Sequence, residues 1–273
     1  MPQSPRTLTD QVPTRPPRMT DPFEFMGFRA VQVAENPRFE APPESRPTDL
    51  FAVKVNRCSI PAYRFVRKDD QSQSLVFTAG ACVNSGRDNA HAGWAISVGP
   101  RKVIKGDLNP DPEAPATIGS DNAQYTSNRA ELCAVCVALQ LRVWKGEGFS
   151  TIVVATDSEY VVKGYCEWLP LWKQRNWKTA RGLAVTNKDL WQKLESVIQK
   201  VANSGTQVLF WQIPRAWSEA NRYAQEAAVC SPLESQFFVP NMVLSRNHQT
   251  HNCSTELDPL LFLISSTVTL DEM

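Results

Sequence analysis

The chain has 273 residues, enough for more than one average domain and for a sizeable buried core. Hydrophobic residues make up 42% of it and eight residues are tryptophan, which excludes disorder throughout, while twenty prolines against twelve glycines point to a part that stays outside the folded body. The formal net charge of +1 excludes polyanion binding by bulk charge, so any such affinity must come from a local patch.

The first residues carry prolines and acids and no apolar h-region, unlike a secretory signal. The apolar run Leu260 to Ile264 is far too short for a bilayer. The expectation is a soluble protein inside the cell, in cytoplasm or nucleus. Seven cysteines, an odd number without framework spacing, suit a reducing compartment. Cys133 and Cys136 share one helical face and are expected to be buried thiols rather than zinc ligands.

Residues 1–74 are rich in proline (Pro13, Pro16, Pro17, Pro37, Pro42, Pro43, Pro47) and show no sustained period. They are expected to form a mostly flexible arm, a candidate contact for a protein partner, with at most a short strand over Leu50 to Val55. At Leu75 the pattern changes. Leu75 to Thr78 and Gly93 to Val98 read as strands, and the segment around Tyr125 as the end of a third. Leu132, Val135, Cys136, Leu139 and Val143 then recur at helical spacing, with Asn128 as the expected cap, Glu131 three residues on, and Gly146 and Gly148 as the stop.

Thr151 to Thr156 is an apolar, β-branched run of the kind found in a central strand, followed by a helix from Ser158. A helix over Asp189 to Val201, a strand over Gln207 to Ile213 and a helix over Ser218 to Val229 complete the body. The pattern implies one α/β domain over residues 75–230, a mixed five-stranded sheet with helices on both faces, and an irregular tail over residues 231–273.

Four segments, in order, resemble the type 1 ribonuclease H family. Phe77-Thr78-Ala79-Gly80-Ala81 is similar to its first-strand motif, Thr126-Ser127-Asn128-Arg129-Ala130-Glu131-Leu132 to the start of its first helix, and Ala155-Thr156-Asp157-Ser158-Glu159-Tyr160-Val161 to its "TDSxYV" strand end. Trp172 to Trp191 is similar to the basic handle and the helix after it. The resemblance implies metal-assisted hydrolysis of the RNA strand in an RNA/DNA hybrid by four carboxylates, which hold two Mg²⁺ ions about 3.5–4 Å apart.

Matched position by position, the chain keeps the second and third acids, Glu131 and Asp157, which therefore stand as candidate catalytic residues and metal ligands. The first position is Ala79, where the family has an Asp, and the fourth is Asn221. A methyl group ligates nothing, so at most one Mg²⁺ or Mn²⁺ is expected, held weakly by Glu131 and Asp157. The nearest acids in sequence are Asp88, Glu219 and Glu226, and the loop that often carries a mobile His in the family is Pro214-Arg215-Ala216-Trp217 here.

Between Glu167 and Asp189 there is no acid. Lys173, Arg175, Lys178, Arg181 and Lys188 are interleaved there with Trp168, Trp172 and Trp177, a footprint suited to nucleic acid. The resemblance implies a phosphate pocket at Lys178 and Thr179 and a minor-groove contact at Asn128, while Trp172 and Trp191 read as anchors to the core. The expected function is binding of an RNA/DNA hybrid or structured RNA with catalysis impaired or lost. A working ribonuclease H and a protein-interaction scaffold are the alternatives.

Overall fold

A computed structural model describes residues 30–108 and 125–229, except Arg57, Ser59, Ile60, Gly86 and Asp88. Its centre is β3 (Gln73–Val83), apolar on both faces at Leu75, Val76, Phe77 and Ala79. β4 (His91–Gly99) pairs antiparallel along Phe77 to Val83, and β5 (Lys102–Asp107) adds to it antiparallel. On the other edge of β3 run β6 (Thr151–Thr156) and then β7 (Gln207–Gln212), both parallel to their neighbours and rich in buried apolar residues.

Two further strands extend the expected five to seven. β1 (Phe51–Val55) and β2 (Tyr63–Arg67) form an antiparallel hairpin, and Phe65 and Val66 pair with Leu75 and Ser74 at the start of β3. A short helix α1 (Pro47–Leu50) leads into them. Upstream, Phe39 donates its N–H to Phe210 O (2.8 Å) and Phe210 donates to Pro37 O (2.7 Å), so residues 37–39 cover the open edge of β7. The boundary expected at residue 74 therefore cuts through the sheet, and the described residues between 30 and 74 are part of the body rather than a flexible arm. The reason is physical: Phe39, Phe51 and Phe65 are spread too far apart among prolines to show a period, yet they converge with Phe77 and Trp211 in one apolar cluster. The remainder of the arm, residues 1–29, and the tail expected over residues 231–273 lie outside the described residues.

The sheet separates two cores. On one face α2 (Ser127–Gln140), α3 (Glu159–Lys163), a π-helical turn (Gly164–Trp168), α4 (Leu169–Gln174) and α5 (Lys188–Asn203) pack over Val76, Ile152, Val154 and Phe210. On the other, α6 (Asn221–Val229) and the N-terminal phenylalanines cover Leu75, Phe77, Ala79, Val153 and Ala155. Helices on both faces of one mixed sheet make the expected α/β fold.

Several boundaries differ from expectation. Tyr125 lies before α2 and not in a strand; the third strand is β5. The cap of α2 is Thr126, whose hydroxyl accepts from Arg129 N–H (3.2 Å), rather than Asn128, which sits exposed in the first turn. The helix stops at Gln140, because Trp144 folds back into the core and donates Nε1–H to Leu139 O (3.2 Å). Val143 is left exposed, and the Trp144–Glu147 3₁₀ turn closes at Gly148 with φ 95°. Cys133 and Cys136 lie in α2, where burial pushes their thiols up to about 11 and about 12. Among the described residues no helix is long and apolar enough to cross a membrane.

Candidate active site and nucleic-acid groove

Glu131 reaches the sheet because α2 lies almost in contact with β3. A Cβ built on Gly80 would come 2.2 Å from Glu131 N, so only glycine permits this approach. The Glu131 carboxylate is buried, with Thr156 Oγ1 donating to Oε2 (3.3 Å). Burial is the main influence on it, assisted by the nearby Asp157 charge and opposed by a backbone hydrogen bond from Gly80, the Thr156 hydroxyl and Arg215. Together they push its acid up to about 8.

Asp157 follows the last residue of β6, at the carboxyl end of the central strands, where open α/β sheets place their ligands. It does not cap α3. Ser158 does, its hydroxyl accepting from Val161 N–H (3.3 Å), and Ser158 N–H donates to Thr156 Oγ1 (3.2 Å). Asp157 is thus left turned into a cleft of about 450 Å³ that it lines with Gln212, Ile213, Pro214 and Arg215. Its Oδ1 is buried without a hydrogen-bond partner, and its Oδ2 lies 3.7 Å from Arg215 Nη1.

Neither degenerate position carries a carboxylate. Ala79 is fully buried in the apolar cluster beneath α6, with Ala155, Ala220 and Ala224. Asn221, the first residue of α6, is buried and donates Nδ2–H to Arg215 O (3.2 Å). Nearby acids are engaged elsewhere. Glu219 accepts from Ser97 Oγ (3.3 Å), with burial raising its acid, and Glu226 pairs with Lys105 (3.1 Å). Asp88 lies outside the described residues. Among the described residues no group of three His, Cys, Asp or Glu side chains could share a metal ion. The residues present therefore do not fit a two-ion hydrolytic centre. The partnerless Asp157 oxygen, next to Glu131, is compatible with at most one ion.

The basic segment emerges from α4 and turns sharply. Asn176 and Trp177 are left-handed (φ 54° and 60°), Lys178 bridges Ala184, and Thr179 N–H donates to Leu183 O (2.8 Å), with Gly182 at φ 78°. The result is a tight loop that holds Arg175, Lys178 and Arg181 exposed and Thr179 half-buried. Trp177 is half-buried under it, with Lys188 Nζ 5.5 Å from its ring centre. Lys173 departs from the set, since its ammonium is engaged by Glu195 of α5.

Aromatic packing fixes the loop's base. Trp191 is fully buried, 5.5 Å from Trp172 and 5.3 Å from Tyr160, and it donates Nε1–H to Tyr160 Oη (3.0 Å). Trp172 and Trp191 are anchors, as the sequence suggests. A pair not foreseen from sequence joins α2 to α5: Arg129 binds Asp189 through two hydrogen bonds (3.0 and 2.7 Å), tying the helix start that carries Asn128 to the helix start after the basic loop. Only the opposite charges of the two residues, sixty positions apart, hinted at it. Arg215 was visible as a loop residue, but nothing in the sequence placed it against Asp157.

Comparison with known proteins gives a consistent answer. The RNase H family profile matches residues 71–208. Ribonuclease H of Thiobacillus denitrificans is 39% identical over 125 residues, covering 46% of this chain and 72% of that protein. Ribonuclease H of a Cyanothece species is 37% identical over 145 residues, covering 53% and 78%, and that of Treponema pallidum is 40% identical over 124 residues, covering 45% and 70%.

Proposed function

The chain belongs to the RNase H family, and from that premise we propose that it binds an RNA/DNA hybrid or structured RNA without cleaving it. The observation that carries this reading is the pair of substitutions at the centre of the site. A buried methyl at Ala79 and an amide at Asn221 stand where metal-dependent hydrolysis needs carboxylates, while Glu131 and Asp157 remain. Divalent metals are general in the family. Here a single Mg²⁺ or Mn²⁺ would be held weakly by Glu131 and Asp157, with no step of catalysis assigned to it.

The ligand class follows from the basic loop and the start of α2. Arg175, Lys178 and Arg181 supply exposed cations for phosphates, Thr179 a hydroxyl beside them, and Asn128 an amide at the α2 start, which Arg129 and Asp189 tie to the far end of the basic loop. An A-form-like duplex presents its wide minor groove and 2′-hydroxyls to such a surface, so recognition rests on shape rather than sequence. An intracellular setting goes with that ligand. A protein partner for the proline-rich N-terminal arm is a separate proposal, which the basic loop does not bear on.

The competing reading is a working ribonuclease H, favoured by the relatives' names. It needs a third oxygen ligand, and Glu219 and Glu226 point elsewhere. The deciding experiment measures binding and cleavage of a fluorescent hybrid by the full chain, in Mg²⁺ and in Mn²⁺. Salt-sensitive binding with the RNA strand intact is expected. Multiple-turnover cleavage lost on Asp157→Asn would assign the protein to the enzymes instead.

A further inference from the structure

A metal-dependent centre of this kind gathers acids around imported cations. This one has a cation of its own. β7 ends at Gln212, and Ile213 N–H then donates to Thr156 O (2.9 Å), which sets the Arg215–Trp217 3₁₀ turn beside the end of β6. From that turn Arg215 brings Nη1 to 3.7 Å from Asp157 Oδ2, at the wall of the cleft the two residues share.

The backbone of Arg215 is held from the opposite side. Its carbonyl accepts from Asn221 Nδ2 (3.2 Å) and from Ser218 N–H (3.2 Å). An ionised aspartate at 221 has no proton to donate and would turn a carboxylate toward that carbonyl. Asn221 is therefore more than an absent ligand, since its amide makes a contact that seats the arginine. The second degenerate position has a complementary effect. With a methyl at Ala79, among the described residues no third carboxylate competes for the guanidinium there, and the acids of the site reduce to Glu131 and Asp157.

We propose that Arg215, seated by Asn221, is a built-in cation that takes the place of a divalent metal at this site. It screens Asp157 and offers its remaining N–H donors to a phosphate entering the cleft. Guanidinium suits that task because its five donors lie in one plane and match phosphate oxygens in pairs. With 61% of its side chain exposed, Arg215 can meet a ligand without a change of fold. A nucleic-acid backbone would then be held equally well with and without divalent ions. The nucleic-acid half of this inference rests on the binding function proposed above; the metal half does not.

The test compares the wild-type chain with Arg215→Gln and Arg215→Lys, and first uses Mn²⁺ alone, followed by the loss of its free EPR signal. Wild type and Arg215→Lys should bind Mn²⁺ weakly. Arg215→Gln should bind about tenfold more tightly, the scale of removing one charge interaction at a partly solvated site. Equal Mn²⁺ affinity in all three proteins overturns the proposal. Hybrid binding is then measured in EDTA and in Mg²⁺. Wild-type affinity should be the same in both, whereas Arg215→Gln should bind poorly in EDTA and recover in Mg²⁺. Wild-type binding that strengthens on adding Mg²⁺ also overturns it. If no variant binds hybrid, the proposed function fails, and the Mn²⁺ comparison still decides the role of Arg215.

Discussion

Gly80 and Glu131 meet backbone to backbone, so closely that a single methyl group between them would lie 2.2 Å from the Glu131 nitrogen. The same methyl would also come 2.5 Å from Ala130 C. Both are main-chain atoms at the start of α2, which cannot rotate away, so the helix itself would have to move. Gly80→Ala is expected to destabilise the fold by about 1–3 kcal/mol, the usual cost of overpacking. It should also displace Glu131 from Thr156. Urea unfolding measures the first effect, and an unchanged midpoint would show that the α2–β3 contact is looser than described.

The burial of Glu131 makes a second expectation. Its acid stands at about 8 in the folded chain against an ordinary value of 4.5. Between those values the folded state keeps a proton that the unfolded state releases. The contribution is therefore complete below about pH 4.5 and is lost as pH rises toward 8, at up to about 1.4 kcal/mol per pH unit. Glu131→Gln should remove this slope and be more stable than wild type above pH 8. Melting curves of both proteins from pH 5 to 9 check it; parallel profiles would mean that the carboxylate is solvated.

The N-terminal hairpin is clipped to the rest of the fold by a buried charge pair. Arg64 is 1% exposed and binds Glu147 through Nε (2.8 Å) and Nη2 (2.9 Å), and Asn56 Nδ2 donates to the same carboxylate (2.8 Å). Neutralising one partner strands the other charge in the core. Glu147→Gln is thus expected to cost about 3–5 kcal/mol. A chain starting at Leu75 would lack β1, β2 and the first two residues of β3, and should fail to give a cooperative melt. A cooperative melt from that shortened chain would restore the boundary expected from composition.

The contrast between these regions explains what the sequence could disclose. Leu75 to Thr78, Thr151 to Thr156 and the stripe of α5 are continuous apolar signals, because each buries adjacent or regularly spaced residues in one element. The β1–β2 hairpin is held by Phe39, Phe51, Phe65 and the Arg64–Glu147 pair, contacts that bring together separate segments and leave no local period. The site divides the same way. Glu131, Asp157, Ala79 and Asn221 are candidates from sequence because each sits in a recognisable motif. The Asn221–Arg215–Asp157 chain is not, since two turns of backbone bring its members together. Asn128 as a cap failed because Thr126, two residues earlier, has the extended backbone a cap requires (φ −139°).

The exposed cations of the basic loop lead to an expectation about affinity alone. Lys178 and Arg181 lie in a solvent-facing loop and are not part of either core. Lys178→Ala with Arg181→Ala should leave the melting temperature unchanged. The slope of log affinity for hybrid against log salt should fall by about two, one for each phosphate that is no longer neutralised. A salt titration by fluorescence anisotropy reads this directly, and an unchanged slope would move the binding surface elsewhere.

Restoring the carboxylates tests the inherited geometry, and the packing around them sets the cost. Ala79→Asp places a charge among Leu75, Phe77, Ala155 and Ala220, in an apolar cluster, so the single variant should lose several kcal/mol. Asn221→Asp removes the bond to Arg215 O and frees that turn. Together the two changes rebuild four acids that repel one another until a cation arrives. The double variant should therefore melt well below wild type in EDTA and regain stability with Mn²⁺ or Mg²⁺, by about 2.7 kcal/mol at a hundredfold excess over its dissociation constant. Metal-dependent cleavage of the RNA strand should accompany that gain. A double variant that folds but shows neither metal stabilisation nor cleavage would mean that the four positions no longer converge on one point, and Ala79 would then be a packing residue with no bearing on catalysis.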